Sequence, residues 1–231
     1  MAEIQEVANT SRALMGEVAK AIIGKHEVLL KVAVTILANG HMLFEDFPGL
    51  AKTLMANCFA QALGCTFKRI QFTPDLLPAD ITGTYVYDEK DNEFKFRPGP
   101  IFTNILLADE INRAPPKTQA ALLEAMQEKQ VTIEGVTHKL PRPFIVMATQ
   151  NPIEQEGTYP LPEAQIDRFM IKMSVGYPNR EEEKEILIRR ELRRKDDVDL
   201  EVITNPKKVI EMQQVVEKVH VDPALLTYIV E

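Results

Sequence analysis

The chain has 231 residues, 27 of them basic and 34 acidic, for a net charge of -7. A chain of this length buries roughly 70 to 75% of its unfolded surface without cross-links, so one α/β domain with the start of a second is expected. The acidic balance gives no sign of a general affinity for nucleic acid or anionic membranes and leaves a local basic groove open.

In chain order, the acidic N-terminus has no apolar core, and an amphipathic segment runs to about Lys20. Ile22-Ile23-Gly24-Lys25 then leads to a helix from Glu27 to Ala38. The apolar stretch Val28 to Ala38 is the longest, but Lys31 breaks it and it is too short to span a bilayer, so a cytoplasmic protein with no membrane segment is expected. A short apolar strand beginning at His41 meets Pro48-Gly49, and Lys52-Thr53 open a helix that ends near Gly64, a residue suited to a left-handed cap. Phe67 to Phe72 alternates as a strand. Thr84 to Tyr87 and Glu93 to Phe96 form a hairpin about a polar turn.

Ile105 to Ala108 is a continuous apolar run that meets Asp109-Glu110, and Pro115-Pro116 start a helix to about Lys129. Val131 to Ile133 and Val136 to Leu140 form a second hairpin around Glu134-Gly135. The strand Phe144 to Thr149 ends at Gln150-Asn151. Asn179 and Glu182 are spaced as a capping box for a charged helix through about Lys195, with Glu185/Arg189 and Glu191/Lys195 as i,i+4 pairs. Asp222-Pro223 is a further helix start.

Two of these segments carry chemistry. An all-apolar strand is buried on both faces of a parallel sheet, and ligands of such sheets bind beyond the strand carboxyl ends, where Asp109 and Glu110 stand. On this segment alone, two acids that merely cap a strand are an equal alternative. The turn before Lys52 reads as a phosphate-binding loop: helix N-terminal amides for phosphate oxygens, Lys52 for the outer phosphates, the Thr53 hydroxyl for magnesium. The pattern G-x-x-x-x-G-K-[ST] is broken twice, by Asp46 and Ala51. Alone it also fits a plain strand-turn-helix connection; with the Asp-Glu strand beside it, chance is a much poorer explanation. Cys58 and Cys65 read as reduced packing residues. His26, His41, His138 and His220 are dispersed and form no metal spacing.

Four motifs together resemble the MoxR ATPases of the AAA+ superfamily, in the clade with an insert in the second helix. They are EDFPGLAKT (Glu45 to Thr53), ILLADEINRAPPKTQAALLEAMQE (Ile105 to Glu128), ATQNP (Ala148 to Pro152) and GTYPLPEAQIDRF (Gly157 to Phe169). The resemblance implies a P-loop NTPase fold: a central parallel five-stranded sheet flanked by helices, two β-hairpin inserts, and the start of a truncated C-terminal helical lid. Residues 1–178 would be the nucleotide-binding core with its N-terminal helices, and 179–231 a linker helix and the beginning of an incomplete lid. ATP and Mg2+ are the implied cofactors, held by Pro48, Gly49, Leu50, Ala51, Lys52, Thr53 and Leu54, with Ile23 and Gly24 at the adenine. MoxR-like loops often carry Ala-Lys-Thr, which accommodates Ala51.

The roles implied are those phosphoryl transfer to water needs. Lys52 touches the β- and γ-phosphates, Thr53 binds magnesium, Asp109 places the ion's water shell, and Glu110 activates the attacking water. Asn151 corresponds to the first sensor. Arg168 corresponds to an arginine finger reaching a neighbouring subunit, and Arg113 and Lys117 could face that boundary. The implied partners are further copies in a hexameric ring and a protein client contacted by the hairpins, and family members commonly work with a von Willebrand factor A domain protein. A chelatase-type or nucleic-acid motor subunit is the alternative function, and nucleic acid is disfavoured by the charge.

Overall fold

Three continuous apolar runs form the middle of a parallel sheet. The protein is described by a computed structural model that covers residues 2–153, 157–195 and 198–231. The first half contains α1 (Ala2–Val18), α2 (His26–Leu37), β1 (Met42–Glu45), α3 (Lys52–Ala62), β2 (Phe67–Gln71), α4 (Pro78–Thr82), β3 (Gly83–Asp88) and β4 (Glu93–Pro98). Then come β5 (Ile105–Asp109), α5 (Pro116–Glu128), β6 (Gln130–Ile133), β7 (Val136–Lys139), β8 (Ile145–Gln150), α6 (Glu163–Ile166) and β9 (Ile171–Met173). Last are α7 (Arg180–Arg193), α8 (Pro206–Val216) and α9 (Pro223–Val230). The strands β2-β5-β8-β1-β9 form one five-stranded sheet in that order, all pairings parallel.

Side chains alternate across a strand, so each central strand serves two cores. Met42, Phe44, Ile105, Leu107, Ile145 and Met147 face α1, α2 and α3, with Leu14, Leu29 and Phe59 among their partners. Leu43, Leu106, Ala108, Val146 and Ala148 face the other way, onto Leu122, Leu123 and Met126 of α5. None of these eleven strand residues is more than 1% exposed. Burial on both faces leaves no room for polar side chains until the strand ends, which is why the chemistry collects there.

The five-stranded sheet and both hairpins are as expected, with differences at short or weakly patterned elements. β9 has only three residues and a mixed pattern, so it is recognisable only through its pairing with β1. α8 buries Val209 and Met212 against α1 and α2, and its start carries the same signature as Asp222-Pro223: the Asn205 side chain accepts from Lys208 N–H, with Pro206 next. The capping box of α7 forms, and Glu185 pairs with Arg189 at 2.6 Å. The expected Glu191/Lys195 pair is corrected: α7 stops at Arg193, Arg194 is left-handed, and Lys195 pairs with Asp199 at 2.5 Å.

The hairpins β3–β4 and β6–β7 are each separate two-stranded sheets. Glu134 and Gly135, both at positive φ, make the tight turn of the second. His138 of β7 stacks on Phe96 of β4 with centroids 4.0 Å apart and meets the Tyr85 hydroxyl at 3.3 Å, so the two hairpins lean on each other. Cys58 and Cys65 are both free, and burial pushes each thiol up to about 11. Among the described residues no helix is long and apolar enough to cross a membrane.

Candidate functional site

The turn from β1 to α3 is shaped by two residues at positive φ, Gly49 at 83° and Ala51 at 55°. Ala51 caps α3, whose first turn carries no acid. A helix N-terminus of this kind offers unpaired amides and a positive dipole end to an anion. The turn forms one wall of a cavity of about 410 Å³, lined from Pro48 through Leu54; Asp109, Glu110 and Asn151 contribute from the ends of β5 and β8. Residues from three strand ends, far apart in sequence, therefore share one space. Parallel pairing of β1, β8 and β5 in register is what brings them level.

Lys52 is 8% exposed, and its ammonium donates to the carbonyls of Asp46 at 3.1 Å and Phe47 at 2.7 Å. Burial lowers its pKa, opposed by the charges of Asp46, Asp109 and Glu110. Asp46 itself, at the position where the pattern has glycine, accepts from Val175 N–H at 2.5 Å and Gly176 N–H at 3.1 Å. Its carboxylate thus ties the root of the β1–α3 turn to the chain leaving β9, a job glycine cannot do.

The two strand-end acids are held differently. Asp109 Oδ1 accepts from the Thr149 hydroxyl at 2.6 Å, and Oδ2 faces the Arg69 guanidinium at 2.5 Å. Glu110 has left the strand, with φ at 56°, and Oε2 accepts from Gln71 at 2.7 Å and Arg113 at 2.8 Å. The Thr149 oxygen also accepts from Glu110 N–H at 2.9 Å, so one hydroxyl positions both residues. Thr149, Arg69 and Gln71 line the cavity and were not singled out in the sequence. Thr149 left a signal, a lone hydroxyl closing an apolar strand. Arg69 and Gln71 left only the polar side of an alternating strand.

Every expected loop residue, with Asp109, Glu110 and Asn151, lines the one cavity. Ile23 lines a second, mostly apolar cavity of about 170 Å³, which shares Gly49, Leu50, Ala51 and Leu54 with the first and is closed by Val175, Pro178 and Ile186. Gly24 does not line it: it turns the chain at φ 74°, and a Cβ there would fall 2.0 Å from Glu182 Oε1. Arg168 lines neither cavity; it is exposed, with its guanidinium on the Leu123 carbonyl and the Gln127 side chain of α5. Arg113, expected near a subunit boundary, reaches Glu110 in its own chain. The Thr53 hydroxyl and Asp109 carboxylate supply oxygen donors, the set that suits a hard divalent cation arriving with phosphates.

Comparisons with known proteins agree with this geometry. The family model described as "ATPase family associated with various cellular activities (AAA)" matches residues 41–171, more than half of the chain. The chain is 50% identical over 212 residues to the uncharacterized protein YeaC of Bacillus subtilis, covering 92% of this chain and 66% of the relative. It is 48% identical over 225 residues to Chaperone MoxR1 of Mycobacterium tuberculosis, covering 97% and 59%. Protein MoxR of Methylorubrum extorquens is 31% identical over 167 residues, covering 70% and 48%. A crystal structure of a candidate ATPase from Cytophaga hutchinsonii superposes with a TM-score of 0.90 at 44% identity, over 99% of this chain and 69% of that one. The chain spans 48 to 66% of the length of these curated relatives. With the β1–α3 turn, the Asp-Glu strand end and four strands of the parallel sheet in the matched region, the chain belongs to the AAA ATPases, in their MoxR group.

Proposed function

We propose that the chain binds ATP with Mg2+ in the cavity at the α3 N-terminus, hydrolyses it, and couples the cycle to remodelling or maturation of a partner protein in the cytoplasm. The observation that carries this reading is the convergence of Lys52, Thr53, Asp109, Glu110 and Asn151 on one cavity. Lys52 would exchange its two carbonyl partners for phosphate oxygens, a stronger charge-assisted bond. Thr53 and Asp109 would hold magnesium, which neutralises charge developing on the phosphates. Glu110 would take the proton of the attacking water, and Asn151 would orient that water. The apolar cavity beside Ile23 is the natural place for the base.

Arg168 would complete the site of a neighbouring copy in a hexameric ring; its exposure and its absence from the lining of its own chain's cavity support a role in trans. The hairpins expose Val86, Tyr87, Phe94 and Val136, an apolar surface suited to a protein client. A von Willebrand factor A domain partner remains part of this proposal through the family alone. We read residues 1–178 as the nucleotide-binding core and 179–231 as a linker helix and the beginning of a lid. α7 and α9 bury no residue, whereas α8 packs on α1 and α2.

The test is nucleotide binding and phosphate release by the wild-type chain and Lys52→Ala. Binding that requires Lys52, and turnover that requires divalent metal, is the expected result. Nucleotide affinity unchanged in Lys52→Ala overturns the assignment of the loop. Light scattering with and without ATP tests the ring.

A further inference from the structure

Arg69 takes no part in the roles assigned above, yet it sits inside the cavity they share. It lies on β2, an edge strand, whose register sets Arg69 beside Leu107 and Gln71 beside Asp109. Alternation puts Phe67, Arg69 and Gln71 on one face. Two nitrogens of the guanidinium, Nε at 3.1 Å and Nη2 at 2.5 Å, converge on Oδ2 of Asp109. Nη2 also donates to Gln71 Oε1 at 2.9 Å, and Gln71 donates in turn to Glu110. The other Asp109 oxygen is taken by the Thr149 hydroxyl. Of the acid that would serve a divalent cation, Oδ2 is therefore filled by two N–H groups of a positive charge, while Oδ1 carries one hydrogen bond.

A hydrated divalent cation and a guanidinium compete for the same carboxylate oxygen. The competition is winnable, because the Arg69 side chain is 48% exposed and that of Asp109 15%, and a solvent-facing ion pair is worth little. Metal arriving alone at Oδ2 must displace Arg69 and adds to the positive charge that Arg69 and Lys52 already bring to the cavity. Metal arriving on a polyphosphate brings negative charge that the displaced guanidinium can meet, and planar guanidinium suits phosphate well. We propose that Arg69 is the resident counter-ion of Asp109, keeping free divalent metal out of the nucleotide-free site and yielding to metal delivered on the nucleotide. This rests on the ATP–Mg2+ reading of the same cavity. It assigns Arg69 a positioning role: it sets the order in which metal and nucleotide arrive.

The probe is Mn2+, followed by its electron paramagnetic resonance signal, with the nucleotide-free chain and with saturating ADP. Arg69→Gln is expected to bind Mn2+ alone about two- to fivefold more tightly than wild type, the range for losing one solvent-facing competing charge. The gap between Mn2+ affinity with and without ADP should narrow in the same variant. Arg69→Lys keeps the charge without the fork and should fall between, which separates charge competition from damage to the strand edge; melting curves of both variants check the fold. Mn2+ affinity that is unchanged or weaker in Arg69→Gln, in a folded variant, overturns the proposal. Asp109→Asn is the separate control. If it binds Mn2+–ADP as wild type does, the magnesium reading itself falls; if it loses that binding while Arg69→Gln gains nothing, only the counter-ion role falls.

Discussion

The two ends of the central sheet hold polar groups by opposite means. At the amino end, His41 is 6% exposed: its Nδ1 accepts from Val146 N–H at 2.9 Å, and Nε2 faces the Met126 carbonyl at 3.2 Å and Lys129 at 2.8 Å. At the carboxyl end, Asp109 and Glu110 are held mainly by side chains, from Arg69, Gln71, Arg113 and Thr149, beside an open cavity. Backbone partners cannot leave, whereas side-chain partners can rotate away and be replaced. The first arrangement is structural and the second is exchangeable, although both lie at the ends of strands of one sheet.

Substitutions can break that contrast, and the largest effect is expected at Glu110. Glu110→Gln keeps the shape and the Gln71 and Arg113 neighbours but removes the proposed base; turnover should fall by about 10² to 10⁴ with nucleotide affinity retained, measured by phosphate release and binding together. Unchanged turnover would move the base elsewhere.

At the opposite end the effect is on stability. Burial, and then the charge of Lys129, depress the His41 pKa from 6.5 to about 3. The unfolded chain then binds the extra proton between those values, so stability is intact above about pH 6.5 and falls as pH drops toward 3. Urea titrations should find the protein about 2 kcal/mol less stable at pH 5 than at pH 7 from this group. His41→Asn should lose that part of the slope.

Thr149→Val tests the one hydroxyl that serves both acids. It strands Asp109 Oδ1 and Glu110 N–H and should cost about 1 to 2 kcal/mol in melting experiments, with a further loss of turnover. The smallest effect is expected at Ala51, left-handed at φ 55°. Ala51→Gly relieves that strain and should stabilise by up to about 1 kcal/mol, with the gain offset by unfolded-state entropy. No gain would mean that the loop already relaxes by other means.

How much of this was legible in the sequence follows from where the information resides. Ile105-Leu106-Leu107-Ala108 declares a buried strand, and the acids that follow stand at its end, because burial on both faces is written in consecutive letters. The Glu134-Gly135 turn and the Asn179/Glu182 box are equally local. β9 is not, since three residues acquire strand character only by pairing with β1. Arg69 and Gln71 are not either: their meaning depends on parallel register with β5, about forty residues away, and an alternating polar strand looks the same whether its polar face meets water or the acids of a cavity.

Asp46 was a blemish in a glycine pattern, and in the folded chain it grips two backbone amides beyond β9. A glycine at that position would leave the root of the loop free to wander before ligand arrives. Here the root is already tied down by those two bonds, and the crown at Gly49 stands in open space, with nothing within 4 Å of where a Cβ would sit. Fewer torsions then have to freeze when an anion binds, so the loop reaches a given affinity with a smaller entropic loss.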